Sequence, residues 1–159
     1  AQGIAKRFNL PLTKEEVYER KISALNSYLA EQPFPLLPDV TPTLNDLKAR
    51  DIPMAIASGA NRVEVQRSVD AHALATYFPV VTTKNDVVHS KPAPDVYLLA
   101  AEKLGVQAKH CLAIEDSAPG YQSAIAAGMS CLRLTEQPQT DFEFAHMSEI
   151  RNWLRNQPL

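Results

Sequence analysis

An apolar run that ends in two adjacent acidic residues is the feature that most limits what this chain can fold into. Residues 111–114 are all apolar, and Glu115 and Asp116 follow them directly. Pro119 then stands near the start of an alanine-rich segment that Gly128 closes, a pattern typical of a strand followed by a helix. Ligands of open parallel sheets lie outside the carboxyl ends of the strands, so we expect a site at the two acidic residues. Their carboxylates suit a hard cation such as Mg²⁺, although acidic residues in this position also simply cap the following helix.

The chain from residue 41 onward alternates between strand and helix patterns. The predicted strands are 53–57, 80–82, 111–114 and 131–134, and the predicted helices are 41–50, 62–71, 95–104, 118–127 and 148–156. Strands that alternate with helices form parallel sheets, because each helix carries the chain back to the start of the next strand. The pattern therefore predicts an α/β fold in which helices flank a parallel sheet.

The first 36 residues show helix patterns only. A capping box at Thr13 and Glu16 predicts a helix that runs to about residue 30. Its apolar residues recur at helical spacing, which predicts one buried face formed by Tyr18, Ile22, Leu25 and Leu29. A short helix over residues 2–10 is also predicted. Because three prolines within residues 33–38 end this region, we divide the chain into a helical part, residues 1–36, and an α/β part, residues 37–159.

The composition excludes several kinds of partner. A net charge of −2 with 21% charged residues offers no basic surface for nucleic acid. No apolar stretch approaches the roughly 18 residues that a membrane-spanning helix needs, and residues 1–7 lack the apolar run of a signal peptide. Cys111 and Cys131 stand far apart, which predicts buried free thiols. We therefore expect a cytoplasmic protein without nucleic-acid or membrane partners.

Two further segments place polar groups at the ends of predicted elements. Ser58 follows the apolar strand at 53–57, and Gly59 and Ala60 are small enough for an anion to approach their backbone N–H groups at a helix start. Lys91 lies in a loop that two prolines restrict, so its ammonium would point in a fixed direction. Each segment has a plainer interpretation, since small residues often form only a turn and loop lysines are often only solvated. Together these groups predict a phosphate site at the same edge of the sheet as the two acidic residues.

The order and spacing of these segments resemble those of a known family. The matching segments are 57–61, 91–98 and 114–129. They resemble the second, third and fourth motifs of the haloacid dehalogenase-like hydrolases, and in particular the branch of sugar-phosphate phosphatases and beta-phosphoglucomutases. The resemblance covers about residues 37–134 and implies a Rossmann-like parallel sheet. The residues before it resemble the last helices of that branch's helical cap, which implies a partial cap at the N-terminus.

The resemblance also implies a role for each candidate residue. The residues implied to bind phosphate are Ser58, Gly59, Ala60 and Lys91. Of these, Ser58 and Lys91 would act in catalysis, because Ser58 binds the transferring phosphoryl group and Lys91 steadies its charge. Asp116 and Glu115 would hold Mg²⁺. The implied activity is Mg²⁺-dependent phosphoryl transfer on a small phosphorylated metabolite or phosphate.

The family's first motif has no counterpart here, since no two aspartates in the 159 residues are separated by one residue. In the family the first aspartate of that Asp-x-Asp motif attacks phosphorus. We therefore expect no phosphatase activity from the chain as it stands, and only weak Mg²⁺ binding. Two hypotheses follow. The chain is a truncated phosphohydrolase whose nucleophile lies outside it, or it is a non-catalytic descendant that serves as a binding or assembly module.

The strand that carries this motif lies at the centre of the family's sheet, between the strands that end here at Ala57 and Ile114. Without it, about five to ten backbone groups would lack partners, at about 1–3 kcal/mol for each buried group. Three repairs are open: direct pairing of the two strands, insertion of a segment from another chain, or dimerisation through the exposed edges. Because direct pairing would crowd the flanking helices, we favour dimerisation or strand exchange, and so a homodimer.

Overall fold

The structure is a computed structural model that describes residues 13–31 and 35–158. The chain divides into two compact units, Ala1–Pro35 and Leu36–Leu159. The predicted helix over residues 2–10 lies outside the described residues. Among the helices that the structure describes, none is long and apolar enough to cross a membrane.

The described element of the first unit is one long helix, α1 (Lys14–Glu31). The predicted capping box begins it, because the Glu16 backbone N–H donates to Thr13 Oγ1 at 3.2 Å and the Thr13 N–H donates to Glu16 Oε2 at 2.7 Å. Tyr18, predicted to lie on the buried face, is 58% exposed, and its neighbour Val17 is buried instead. At this turn of the helix the buried position therefore lies one residue earlier than predicted.

The second unit alternates strands and helices as predicted. In chain order its elements are α2 (Val40–Lys48), β1 (Ala55–Ala57), α3 (Arg62–Ala71), β2 (Val80–Thr82), α4 (Asp95–Leu104), β3 (Leu112–Glu115), α5 (Ala118–Ala126), β4 (Ser130–Leu134), β5 (Glu143–Phe144) and α6 (Met147–Arg155). The sequence does not predict β5, because two residues are too few to show an alternating pattern. The start of α2 also differs, because the sequence predicts Thr41 as the cap, followed by Pro42 in the first turn, whereas the helix begins at Val40 after Asp39.

The strands of this unit form two parallel sheets. In one, β1 pairs with β2; in the other, β4 lies between β3 and β5. Helices pack on the strands, with α4 against β1 and β2, and α5 against β3 and β4. The predicted α/β class, parallel strands flanked by helices, is confirmed. All paired strands are parallel, so the carboxyl ends within each sheet lie at one edge.

The two sheets stay separate where a central strand was predicted to be missing. Within residues 13–31 and 35–158, no strand lies between β1 and β3, and these two strands do not pair with each other. Direct closure, one of the three predicted repairs, is therefore not what the structure shows. A side chain links the two strand ends instead, because Lys91 Nζ donates to the Ala57 carbonyl and to the Glu115 carboxylate.

Small residues let the helices approach the strands closely beneath this edge. Ala113 of β3, Ala124 of α5 and Val96 of α4 belong to one buried apolar cluster, and Ala124 is completely inaccessible to solvent. Gly128 ends the turn after α5 with a φ of 79°, a left-handed conformation that suits glycine. The end of β3 thus packs against α4 and α5, and Ala57 at the end of β1 packs against the same cluster.

Candidate active site

A cleft of about 390 Å³ opens between the carboxyl ends of β1 and β3. Its lining comes from three segments of the chain: Ala57, Ser58 and Gly59; Lys91; and Ile114, Glu115, Asp116, Ser117 and Pro119. Five of the six predicted site residues therefore meet at this cleft. The sixth, Ala60, is not part of the lining, and its backbone N–H donates to Ser58 Oγ at 3.1 Å.

The segment that holds Ser58 connects β1 to the start of α3. The Ser58 N–H donates to the Thr82 carbonyl at 2.9 Å, which extends the pairing of β1 with β2 by one residue. Asn61 then caps α3, because its side chain accepts from the Glu64 N–H at 2.9 Å while the Glu64 carboxylate accepts from the Asn61 N–H at 3.3 Å. Ser58 and Gly59 therefore stand just before a helix N-terminus, where the helix dipole and backbone N–H groups favour anions.

The loop after β2 fixes the Ser58 segment from the side. The Lys84 N–H donates to the Ala60 carbonyl at 3.3 Å, and the Arg62 N–H donates to Asn85 Oδ1 at 2.9 Å. The Arg62 guanidinium also pairs with Asp86 at 2.5 Å, and its hydrogen bonds lower the pKa of that carboxyl to about 2. The sequence does not predict these contacts, because the partners of Arg62 lie 23 and 24 residues away in the chain.

Lys91 reaches the cleft from the loop before α4. Its Nζ donates to the Ala57 carbonyl at 3.1 Å, to the Tyr97 hydroxyl at 3.4 Å and to the Glu115 carboxylate. Its side chain is only 12% exposed, so this lysine is held in place and is not simply solvated. The ammonium therefore sits at the cleft wall in a fixed position.

Glu115, at the end of β3, is buried, with 8% of its side chain exposed. Its carboxylate accepts hydrogen bonds from Lys91 Nζ, from the Tyr97 hydroxyl at 2.5 Å and from Ser117 Oγ at 3.0 Å. Burial opposes ionisation, but these bonds outweigh it and hold the pKa of Glu115 below its usual range. Gly120 lies against the carboxylate so closely that a Cβ there would collide with it. Glu115 is thus the counterion of Lys91.

Asp116, the next residue, is exposed and lines the cleft. Within the part of the chain that the structure describes, its side chain has no hydrogen bond or ion pair, and no group of three or more His, Cys, Asp or Glu side chains is arranged to hold a metal. Mg²⁺ commonly takes one or two protein carboxylates and completes its shell with water and phosphate oxygens. Asp116 fits that role, whereas Glu115 is bonded to an ammonium in its present orientation. The donor set therefore suits a Mg²⁺ site that a bound anion completes.

Tyr97 contacts both charged residues, and sequence reasoning assigns it no role beyond its place in the motif. It lies on the inner face of α4 beside Val96, Ala100 and Ala101, all of them buried. The chemistry of the side chain could have indicated a role, because a tyrosine hydroxyl on a buried face needs a hydrogen-bond partner. In the structure that partner is Glu115.

Comparisons with known proteins place this chain in a family. The family model of the haloacid dehalogenase-like hydrolases matches residues 4–128. The chain therefore belongs to the haloacid dehalogenase-like hydrolase family. It is 33% identical over 134 residues to the fructose-1-phosphate phosphatase YqaB of Escherichia coli strain K12, which is 83% of this chain and 69% of that protein.

For two other similar proteins, the chain covers a smaller share of their length. It is 30% identical over 119 residues to the bifunctional riboflavin kinase/FMN phosphatase of Arabidopsis thaliana, which is 74% of this chain and 31% of that protein. The structure of CbbY from Rhodobacter sphaeroides in complex with xylulose-(1,5)bisphosphate aligns with a TM-score of 0.71 at 25% identity, over 87% of this chain and 66% of that one. The chain thus spans between about a third and about two thirds of these three proteins.

Proposed function

We propose that this chain supplies the phosphate- and metal-binding part of a phosphohydrolase that acts on a small phosphorylated metabolite. The observation that carries the proposal is the meeting of Ser58, Lys91 and Asp116 at one cleft between two strand ends. At that cleft the hydroxyl supplies a hydrogen-bond donor to phosphate, the ammonium supplies a positive charge, and the carboxylate supplies a metal ligand. Family membership supports the same function, as do the sugar-phosphate names of YqaB and of the CbbY complex.

The proposed phosphate site uses the Ser58 segment and Lys91. Because Ser58 Oγ accepts from the Ala60 N–H, its own proton remains available to donate to a phosphate oxygen. Ala60 therefore contributes by orienting Ser58, while Gly59 itself lines the cleft. Lys91 adds the positive charge that a phosphate dianion requires.

Asp116 is the residue proposed to hold Mg²⁺, with Glu115 joining only if its carboxylate turns away from Lys91. When bound, the ion would neutralise charge on the phosphoryl oxygens. With so few protein ligands, Mg²⁺ should bind weakly until phosphate occupies the cleft.

Catalysis needs a further group that this sequence does not contain. No Asp-x-Asp pair occurs in the 159 residues, and Lys91 and a bound metal ion can stabilise charge but cannot replace an attacking carboxylate. We infer that the chain alone is inactive and that an aspartate from a segment outside it completes the enzyme. The same missing pair favours a second candidate function, a non-catalytic binding or assembly module that keeps the anion site.

Hydrolysis of p-nitrophenyl phosphate and of small sugar phosphates tests the catalytic part. The chain alone should show no turnover, and an ordinary value of about 1–10³ s⁻¹ would contradict the inference. Joining an Asp-x-Asp strand segment to the N-terminus should produce activity if the chain is part of an enzyme. If the joined protein folds but stays inactive, the binding-module function is favoured.

Titration with phosphate, with and without Mg²⁺, tests the binding part by calorimetry or NMR. Lys91→Ala should weaken phosphate binding, with Lys103→Ala on the exposed end of α4 as the matched control. Asp116→Ala should selectively weaken Mg²⁺ binding, with the exposed Asp141→Ala as its control. If phosphate shifted NMR signals elsewhere but none near the cleft, the site assignment would be wrong.

A further inference from the structure

The hydroxyl of Tyr97 forms two hydrogen bonds, which have no part in the apolar packing of its ring. Tyr97 is 7% exposed, and its ring belongs to the buried apolar cluster between α4, α5 and β3. A phenylalanine would fill the same space. Yet the hydroxyl donates to Glu115 at 2.5 Å and accepts from Lys91 Nζ at 3.4 Å, while the ammonium lies 4.6 Å from the centre of the ring. One side chain thus contacts both partners of the buried ion pair.

These contacts account for every donor of the Lys91 ammonium. An ammonium has three N–H groups, and the three acceptors are the Ala57 carbonyl, the Tyr97 hydroxyl and the Glu115 carboxylate. Without the Tyr97 hydroxyl, one N–H of Lys91 and one lone pair of Glu115 lose their partner. Both side chains could then turn toward the open cleft, because water is available there.

We propose that Tyr97 is a positioning residue whose hydroxyl fixes the Glu115 carboxylate and, through it, the Lys91 ammonium at the wall of the cleft. The proposal rests on the proposed function for the role of Lys91 in phosphate binding. A fixed ammonium binds an anion more tightly than a mobile one, because less conformational freedom is lost on binding. Tyr97 therefore sets the affinity of a site that it does not line.

The test compares phosphate binding by the whole chain and by Tyr97→Phe, which removes only the hydroxyl. We expect binding to weaken about three- to tenfold, the range that the loss of one ordinary hydrogen bond produces. Tyr77→Phe is the matched control, because its hydroxyl also donates to a side chain, Asn45 Oδ1 at 2.7 Å, but on another part of the unit. The control should bind phosphate as the unaltered chain does. Equal binding by Tyr97→Phe and the unaltered chain would overturn the proposal.

A double variant distinguishes positioning through Glu115 from a general loosening of the structure. If Tyr97 acts mainly through Glu115, then Tyr97→Phe should weaken phosphate binding less in a Glu115→Ala chain than in the unaltered chain, because only the 3.4 Å hydrogen bond from Lys91 Nζ is left to lose. The same fold-loss in both backgrounds would show that Tyr97 acts in another way and would overturn the proposal.

A second measurement tests the positioning role even if Glu115→Ala does not fold or if the unaltered chain binds no phosphate. An unaltered chain that binds no phosphate would refute the proposed function and would leave the positioning role to this second measurement. In ¹³C-lysine-labelled protein, the ring of Tyr97 shifts the ε-CH₂ signal of the lysine beside it, since Lys91 Nζ lies over that ring. In Tyr97→Phe this signal should move toward those of the exposed lysines, whereas Tyr77→Phe should leave it in place. An unmoved Lys91 signal in Tyr97→Phe would overturn the positioning role.

Discussion

Replacing Gly120 by alanine should destabilise the second unit, although alanine normally favours a helix. Gly120 is the third residue of α5, and a Cβ there would overlap the Glu115 carboxylate. Inserting a methyl group into a packed site costs about 1–3 kcal/mol. Displacing Glu115 from its ion pair with Lys91 adds a further cost, which would reach about 3–5 kcal/mol if the pair broke completely. The better helix propensity of alanine returns about 0.5–1 kcal/mol. We therefore expect a net loss of about 2–4 kcal/mol in the free energy of unfolding.

Urea denaturation followed by the fluorescence of Trp153, the single tryptophan, measures this loss. Gly59→Ala is the matched control, because a Cβ at Gly59 would lie 3.8 Å from Lys91 Cδ, an ordinary contact. The control should stay within about 0.5 kcal/mol of the unaltered chain. In a Glu115→Ala chain the obstacle is absent, so Gly120→Ala should there be neutral or stabilising. A Gly120→Ala chain as stable as the original would refute the argument that Glu115 is fixed against α5.

Three further predictions concern the ion pairs and the assembly state. Lys91→Met should lower the free energy of unfolding, measured by urea denaturation, by about 3–5 kcal/mol, because it leaves Glu115 buried without its counterion. Adding Glu115→Leu should recover most of this loss. A loss below about 1 kcal/mol in the single variant would contradict the prediction. Asp86 has a pKa lowered to about 2 by Arg62, so its stabilising contribution is present above the unfolded pKa of about 3.9 and is lost as the pH falls toward the folded value. The stability difference between the original and Asp86→Asn should accordingly shrink between about pH 4 and pH 2, and a constant difference in denaturation curves would count against the pair. Light scattering over a dilution series should show a homodimer, whereas a well-folded monomer at micromolar concentration would make both intermolecular repairs of the sheet wrong.

Local patterns were sufficient to predict most elements of the second unit. Three elements have the bounds that the sequence predicts: the helices at 62–71 and 95–104 and the strand at 80–82. Their bounds were predictable because caps, apolar runs and terminating glycines are local sequence signals. The predicted cap of α2 was wrong by two residues, since Asp39, in a left-handed conformation, precedes the helix without a side-chain cap. The two-residue strand β5 depends on pairing with β4, a tertiary contact that no local pattern reports.

The candidate site was predictable where it follows strand ends and not where it depends on long-range contacts. Ser58, Lys91 and Asp116 are all at the cleft, as their positions after strands or in a restricted loop indicated, although their roles stay predictions. The sequence placed Glu115 beside Asp116 as an equivalent carboxylate. It could not show that Glu115 turns inward, because the partners Lys91 and Tyr97 lie 24 and 18 residues away. The cytoplasmic location and the division at residues 36 and 37 also stay predictions.

In the described part of the chain, the unpaired edge of β1 carries the backbone carbonyl of Ala57, which binds the Lys91 ammonium in the cleft. Along a parallel strand, alternate residues direct both backbone groups to the same neighbour. The Ser58 N–H bonds to the Thr82 carbonyl of β2, so the backbone groups of Ala57 face away from β2 and toward the gap. The Ala57 carbonyl is the acceptor that Lys91 now uses. A strand that entered the gap and paired with Ala57 would therefore compete with Lys91 for this carbonyl. Pairing in the sheet and the position of Lys91 at the phosphate site are therefore linked through this one carbonyl.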